Sequence, residues 1–272
     1  MSFSAGILWG EAFPTDSHPA TLDAARDLLH AVCPADASVT AGAKGVTAGC
    51  KACPAIVPGG NSLGSDGSGP AFSLDGVIYG SFTRTGAEEA VANFSGCEPH
   101  ANNFGGSILL EKSPSGWKAK SYQAGFISDQ CLKYRLRAGR DLMLCEGGYT
   151  GQGEIDSQLF IFDYALQGDH QTNTLLSTMD NVGACLPGDK IVGSIESVHL
   201  RDLNHDGMPD LVVTLKAGKV KPPAGHEQDC GDSPVLPAVK TQELDFLFDD
   251  GTFKVAPWSA KAKQAVDAVF AQ

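Results

Sequence analysis

Residues 198–215 read VHLRDLNHDGMPDLVVTL, two apolar runs joined by an acidic loop with a glycine at its centre. Within Asp202–Asp210 (DLNHDGMPD), Asp202, Asn204 and Asp206 stand at alternate positions and Asp210 closes the set. Alternate residues of a tight loop point inward, so these side-chain oxygens converge, and the carbonyl of Met208 adds another. Gly207 permits the sharp backbone turn that such a loop needs. Three carboxylates packed this closely repel one another unless a cation lies between them. A hard cation taking about 6–8 oxygens suits the set, with water completing the shell. The expectation is therefore a calcium (Ca2+) site on Asp202, Asn204, Asp206, Met208 and Asp210. Magnesium fits less well, because it demands stricter octahedral geometry. An EF-hand is excluded: its twelfth loop position needs a bidentate Glu and here holds Val213, and the LVVTL run that follows reads as a strand. His205 falls at an outward position and is not expected to be a ligand.

The same strand–glycine–strand pattern recurs twice upstream. YGSFTRTGAEEAVANF (79–94) aligns without gaps when Gly86 is set on Gly207, which places Glu89 on Asp210. CLKYRLRAGRDLMLC (131–145) aligns with Gly139 on Gly207 and one deletion, which places Asp141 on Asp210. Each core precedes a further hairpin-like run: 107–122, 158–164 and 243–255. Phe160, Phe162, Phe246 and Phe248, at alternate positions, read as core faces of strands. The spacings from Gly86 to Gly139 and from Gly139 to Gly207 are 53 and 68 residues, enough for about four strands each. The expected fold is mainly β, with about three four-stranded units resembling degenerate β-propeller blades. Short helices flank it. Residues 17–33 carry Leu22, Ala25, Leu28, Leu29 and Val32 on one stripe, with Ser17 or Thr21 as the cap. Residues 258–272 follow Ser259, with Ala262, Ala265, Val266, Val269 and Phe270 as candidate buried positions. The expected organisation is an N-terminal helix with a Gly/Ser-rich, disulfide-tied segment (1–70, with 57–70 as loop or linker), a β-repeat domain (71–256) and a C-terminal helix (257–272).

The strand–DxNxDGxxD–strand unit resembles the FG-GAP/VCBS-type repeat of integrin alpha-subunit propellers and of many bacterial surface proteins. That resemblance implies a loop tying two strands of a blade through calcium, with Asp202, Asn204, Asp206, Met208 and Asp210 as ligands, and a role in adhesion or ligand binding. The first upstream repeat departs from the pattern, offering Ser81, Thr83 and Thr85 where carboxylates would sit. The middle one offers Arg135, Arg137 and Ala138. Only the third loop is expected to take metal.

Eight cysteines, an even number spread along the chain, favour disulfides and an oxidising compartment. Cys131 and Cys145 are equidistant from Ala138 and would face each other across a hairpin. Two other readings exist for Cys50 and Cys53: a CxxC redox pair, for which no βαβ context is visible, and a zinc set with Cys97 and His100. The opening MSFSAGILWGEAF lacks a basic region and has its apolar stretch stopped by Glu11, so it is no secretory signal as written. Either a leader has been removed or the chain is cytosolic with reduced thiols; export to the cell surface, periplasm or medium is the expectation. The net charge of -12 argues against nucleic-acid partners, and no run approaches the ~18 apolar residues of a membrane span.

No GxSxG, HExxH or P-loop is present, and the seven histidines pair with no nucleophile motif. Glu88–Glu89 and Asp249–Asp250 are adjacent carboxylates that a strand would send to opposite faces. Lys216, Lys219 and Lys221 read as a solvated basic loop. The expectation is a non-catalytic protein for binding, adhesion or surface structure, engaging a protein or glycan ligand or its own copies. The alternative is a secreted hydrolase with its site on the loops 95–106, 146–157 and 216–242.

Overall fold

The computed structural model describes residues 13–43, 45–58, 70–97, 105–229 and 235–271. It is mainly β, with fourteen strands in three antiparallel sheets and two short α-helices among these residues. Helix α1 (Leu22–Val32) is capped by Thr21, whose hydroxyl accepts the Ala24 amide at 3.3 Å, and of the expected stripe it buries Ala25, Leu28, Leu29 and Val32, with Leu22 half-buried.

The first sheet runs β1 (Ala37–Gly42), β2 (Gly45–Cys50), β3 (Phe72–Gly80), β4 (Glu89–Gly96), β5 (Gly106–Ser113) and β6 (Gly116–Ala124), in that order. β4 is buried on both faces from Glu89 to Phe94. Ala25, Leu28 and Leu29 of α1 join Leu74, Ala90, Phe94 and Leu110 in one buried cluster, with the Phe72 and Phe94 rings stacked 4.4 Å apart. Gly76 lies at a break in the β3–β4 register. A Cβ there would come within 2.2 Å of the Ser17 hydroxyl and 2.3 Å of an Asp129 carboxylate oxygen, so the close approach of the 15–20 segment requires glycine.

The second sheet has the order β10 (Thr172–Asp180), β9 (Glu154–Phe162), β8 (Asp141–Gly151), β7 (Cys131–Arg135). The third has the order β11 (Lys190–Arg201), β12 (Asp210–Val220), β13 (Lys240–Asp249), β14 (Thr252–Val255). Together with β3–β6 these form three four-stranded meanders. No closed barrel or propeller is found among the described residues. The chain divides into two compact units. One contains Thr15–Cys145 and Phe162–Gln171, the other Glu146–Ile161 and Thr172–Gln272.

Several expectations are corrected. The Ala/Gly/Ser-rich stretch after α1, where no strand was expected, holds β1 and β2, a hairpin that joins the first sheet with Gly49 and Cys50 paired to Ser73 and Phe72. Most of the expected linker, 59–69, lies outside the described residues, as do the opening 1–12, His100 and Cys230. The expected loop at 146–157 is strand, since β8 and β9 are joined by two residues only. Lys216 and Lys219 sit on β12, paired with Glu196 at 2.6 Å and Asp189 at 3.3 Å. Helix α2 (Ala260–Phe270) buries Val266 and exposes Ala265, while the Ser259 hydroxyl accepts the Asp245 amide at 3.0 Å and does not cap the helix.

The disulfides settle the cysteine readings. Cys33 bonds Cys50, Cys53 bonds Cys97, and Cys131 bonds Cys145; Cys185 is also disulfide-bonded. Cys131 and Cys145 are direct cross-strand partners, 4.1 Å apart at Cα and fully buried, as their spacing about Ala138 predicts. Cys50 and Cys53 bond different partners, so there is no CxxC redox pair. With Cys50, Cys53 and Cys97 oxidised, no thiolates are left for the zinc set. No helix among the described residues is long and apolar enough to cross a membrane.

Candidate metal centre

Each meander passes from its first to its second strand through a loop, and each second strand opens on a buried acid: Glu89, Asp141 or Asp210. These are the residues that the repeat alignment superposes. Their strand partners also correspond, with Gly80 opposite Glu89, Arg135 opposite Asp141 and Arg201 opposite Asp210. Eight residues separate the partners in the outer two loops and five in the middle one, three fewer where the alignment places one deletion. A carboxylate desolvated at such a position needs hydrogen-bond donors, and each loop supplies them differently.

In the first loop Glu89 Oε2 accepts the amides of Phe82 at 2.5 Å and Thr83 at 2.9 Å, and the Thr83 hydroxyl donates to Oε1. In the middle loop a cation is built in. Arg135 donates from Nε to Asp141 Oδ1 at 2.5 Å and from Nη2 to Oδ2 at 3.0 Å, while the Ser81 amide reaches Oδ2 at 2.8 Å. In the third loop Asp210 Oδ2 accepts the amides of Leu203 at 2.8 Å and Asn204 at 3.3 Å, and Oδ1 accepts that of Phe248 on β13 at 2.8 Å. Arg201 is exposed and makes no ion pair with Asp210.

The remaining third-loop side chains fold onto their own backbone. The Asp206 amide donates to Asp202 Oδ1 at 3.2 Å and to Asn204 Oδ1 at 3.0 Å. Gly207 N–H reaches Asp202 Oδ2 at 3.1 Å, and Met208 N–H reaches Asp206 Oδ1 at 2.7 Å. Two residues take left-handed backbone, His205 at φ 61° and Gly207 at φ 84°, which curls the chain tightly enough for these contacts. His205 is exposed, in keeping with its outward reading, and Met208 buries its side chain.

This arrangement brings Asp202, Asn204 and Asp206 together in one loop, with hard oxygen donors held by amides. It does the opposite with Asp210, whose carboxylate is occupied by three backbone N–H groups. Among the described residues no three His, Cys, Asp or Glu side chains form a metal-holding group. The side-chain oxygens of Asp202, Asn204 and Asp206 are of the type that hard cations take. Asp202 has no ion-pair partner among the described residues.

The adjacent acid pairs act singly, but not by strand alternation, since Glu88 precedes β4 and Asp250 follows β13. Glu88 is exposed beside buried Glu89; Asp249 pairs with Lys254 at 2.6 Å, and Asp250 occupies the β13–β14 turn at φ 46°. Sequence reasoning missed Glu146 on β8, a buried carboxyl whose Oε1 has no hydrogen-bond partner and whose pKa burial raises to about 7. No motif marks it. Its one signal is an acid within an otherwise apolar strand run, LMLCE.

No family model, no curated protein and no solved structure matches the chain.

Proposed function

We propose that the chain is an exported, non-catalytic, calcium-binding β-repeat protein of the FG-GAP/VCBS kind, acting in binding, adhesion or surface structure. The observation that carries this reading is the third loop, where Asp202, Asn204 and Asp206 are gathered on backbone amides. In the middle repeat a guanidinium supplies positive charge at Asp141, whereas in the third loop Asp202 has no ion-pair partner among the described residues. The three four-stranded meanders agree with the three units of the repeat alignment, and the disulfides fit an oxidising compartment. Calcium here is structural: it neutralises the Asp202–Asp206 repulsion and fixes the connection between β11 and β12.

The test is thermal unfolding of the non-reduced protein with excess calcium and with chelator, using Asp206→Ala as the control. A ligand bound only by the folded state at ~100 times its Kd adds roughly 2.7 kcal/mol, a shift of a few degrees. A shift absent from Asp206→Ala supports the reading. No shift at millimolar calcium overturns it and leaves DLNHDGMPD an acidic turn satisfied by its own amides.

A further inference from the structure

Two adjoining clefts of about 400 Å3 each, sharing Tyr79 and Lys133, lie beside the end of β3. Their size falls within the range of small-ligand sites. Tyr79 is 44% exposed on a strand whose neighbours are buried, although its backbone partner Ala90 and the next strand's Leu110 are both fully covered. Its ring inclines to that of Trp117 on β6, with centroids 6.0 Å apart and planes at 44°. Planes so splayed cannot sandwich a flat base. Each ring can instead offer its electron-rich face to the C–H face of a sugar ring.

In a chain whose net charge is -12, the cleft that holds Trp117 is lined by Lys112, Lys133 and Arg135 against Glu88 and Glu89, with Arg135 held by Asp141. Lys112 Nζ stands 5.8 Å from the Trp117 ring centroid, and Lys133 Nζ donates to the Tyr79 carbonyl at 2.9 Å with two N–H bonds to spare. Two of the acids in the walls are already engaged by backbone. Glu89 holds the Phe82 and Thr83 amides, and Asp16 holds the Lys133 amide at 2.7 Å. Glu88 is exposed and forms a surface ion pair with Lys112 at 3.6 Å, which an anionic ligand displaces.

The geometry points to an acidic saccharide as the ligand of this cleft: sugar rings against Tyr79 and Trp117, with a carboxylate or sulfate on Lys112 and Lys133. This rests on reading the chain as a binding protein and is independent of the calcium loop. Charge-assisted hydrogen bonds to the anionic group supply the discrimination from neutral sugars.

The experiment probes an array of uronate-, sulfate- and sialate-bearing glycans, beside their uncharged counterparts, with the intact chain, and then titrates the retained glycans by tryptophan fluorescence. Acidic glycans are expected to be retained and their uncharged counterparts not. Affinity should fall roughly tenfold or more, about 1.4 kcal/mol, with Tyr79→Ala or Lys133→Gln, persist with Tyr79→Phe, and weaken with salt. Circular dichroism of each variant separates lost binding from lost fold, and Lys112→Gln, at an exposed side chain, serves if another variant misfolds. Retention of no acidic glycan, equal retention of uncharged counterparts, or wild-type affinity in folded Tyr79→Ala and Lys133→Gln would overturn the assignment. New reducing ends on a retained glycan would sink the non-catalytic reading while leaving the cleft assignment standing.

Discussion

Arg135 and Asp141 face each other across β7 and β8 and join through two parallel contacts, Nε to Oδ1 at 2.5 Å and Nη2 to Oδ2 at 3.0 Å. The acid is fully buried while the arginine side chain is 58% exposed, so the guanidinium closes over a carboxylate that solvent cannot reach. Removing the arginine alone leaves Oδ1 without its donor. Arg135→Leu is expected to destabilise by ~2 kcal/mol, less than a fully buried pair because of the arginine's exposure. Urea unfolding measures this, and adding Asp141→Asn should recover part of the loss. A double variant no more stable than Arg135→Leu would show that the charge is not what the arginine compensates.

Asp210 and Asp206 belong to one loop but have different work. Asp210 accepts three amides, one of them from β13, and so ties the loop to the next strand. Asp210→Ala is expected to lose about 2–4 kcal/mol with or without calcium, because buried amides are left unsatisfied. Asp206→Ala, at an exposed position, should cost far less in chelator and show its deficit only when calcium is present. Parallel melts in the two conditions separate the roles.

Glu146 makes stability depend on pH in a defined window. Its carboxyl titrates near 4.5 when unfolded, and burial raises it to about 7 in the folded chain. Below about pH 4.5 both states are protonated and nothing is lost. Between that pH and 7 the unfolded state ionises first, so folded stability falls; above 7 the loss is complete, at roughly 3 kcal/mol. Glu146→Gln should remove this dependence and melt several degrees above wild type at pH 8. Identical melting curves for both proteins at pH 5 and pH 8 would rule out the buried carboxyl as their source.

The Cys131–Cys145 bond closes a loop of 14 residues' separation around the middle repeat. Replacing both by serine is expected to cost about 3 kcal/mol from the freed unfolded chain. The same change also puts two hydroxyls where both sulfurs are fully buried. Alanine at both positions should therefore be the milder pair in denaturant titration.

What could be read from the sequence follows side-chain size and period. The α1 stripe was legible because Leu28, Leu29 and Val32 are large and recur at helical spacing. Aligning Glu89 and Asp141 with Asp210 grouped three of the four acids buried among the described residues, and left out Glu146. β1 and β2 were not legible: ASVTAG and GVTAGC hold no large apolar residue, and their register depends on the Cys33 bond to Cys50 and on pairing to β3. In the third loop, residue spacing marked Asp202, Asn204 and Asp206 but could not show that Phe248, 38 residues away, claims an oxygen of Asp210. The Tyr79–Trp117 pair was hidden for a similar reason, since β3 and β6 meet only through two intervening strands.

The bonds Cys33–Cys50 and Cys53–Cys97 enclose successive stretches of chain in two covalent rings. A single peptide-bond cleavage inside either ring opens it without parting the molecule, because the sulfur bridge still joins the two ends. A protease outside the cell could therefore nick this region and leave α1 chained to the sheet it covers, visible as a broken polypeptide only after reduction.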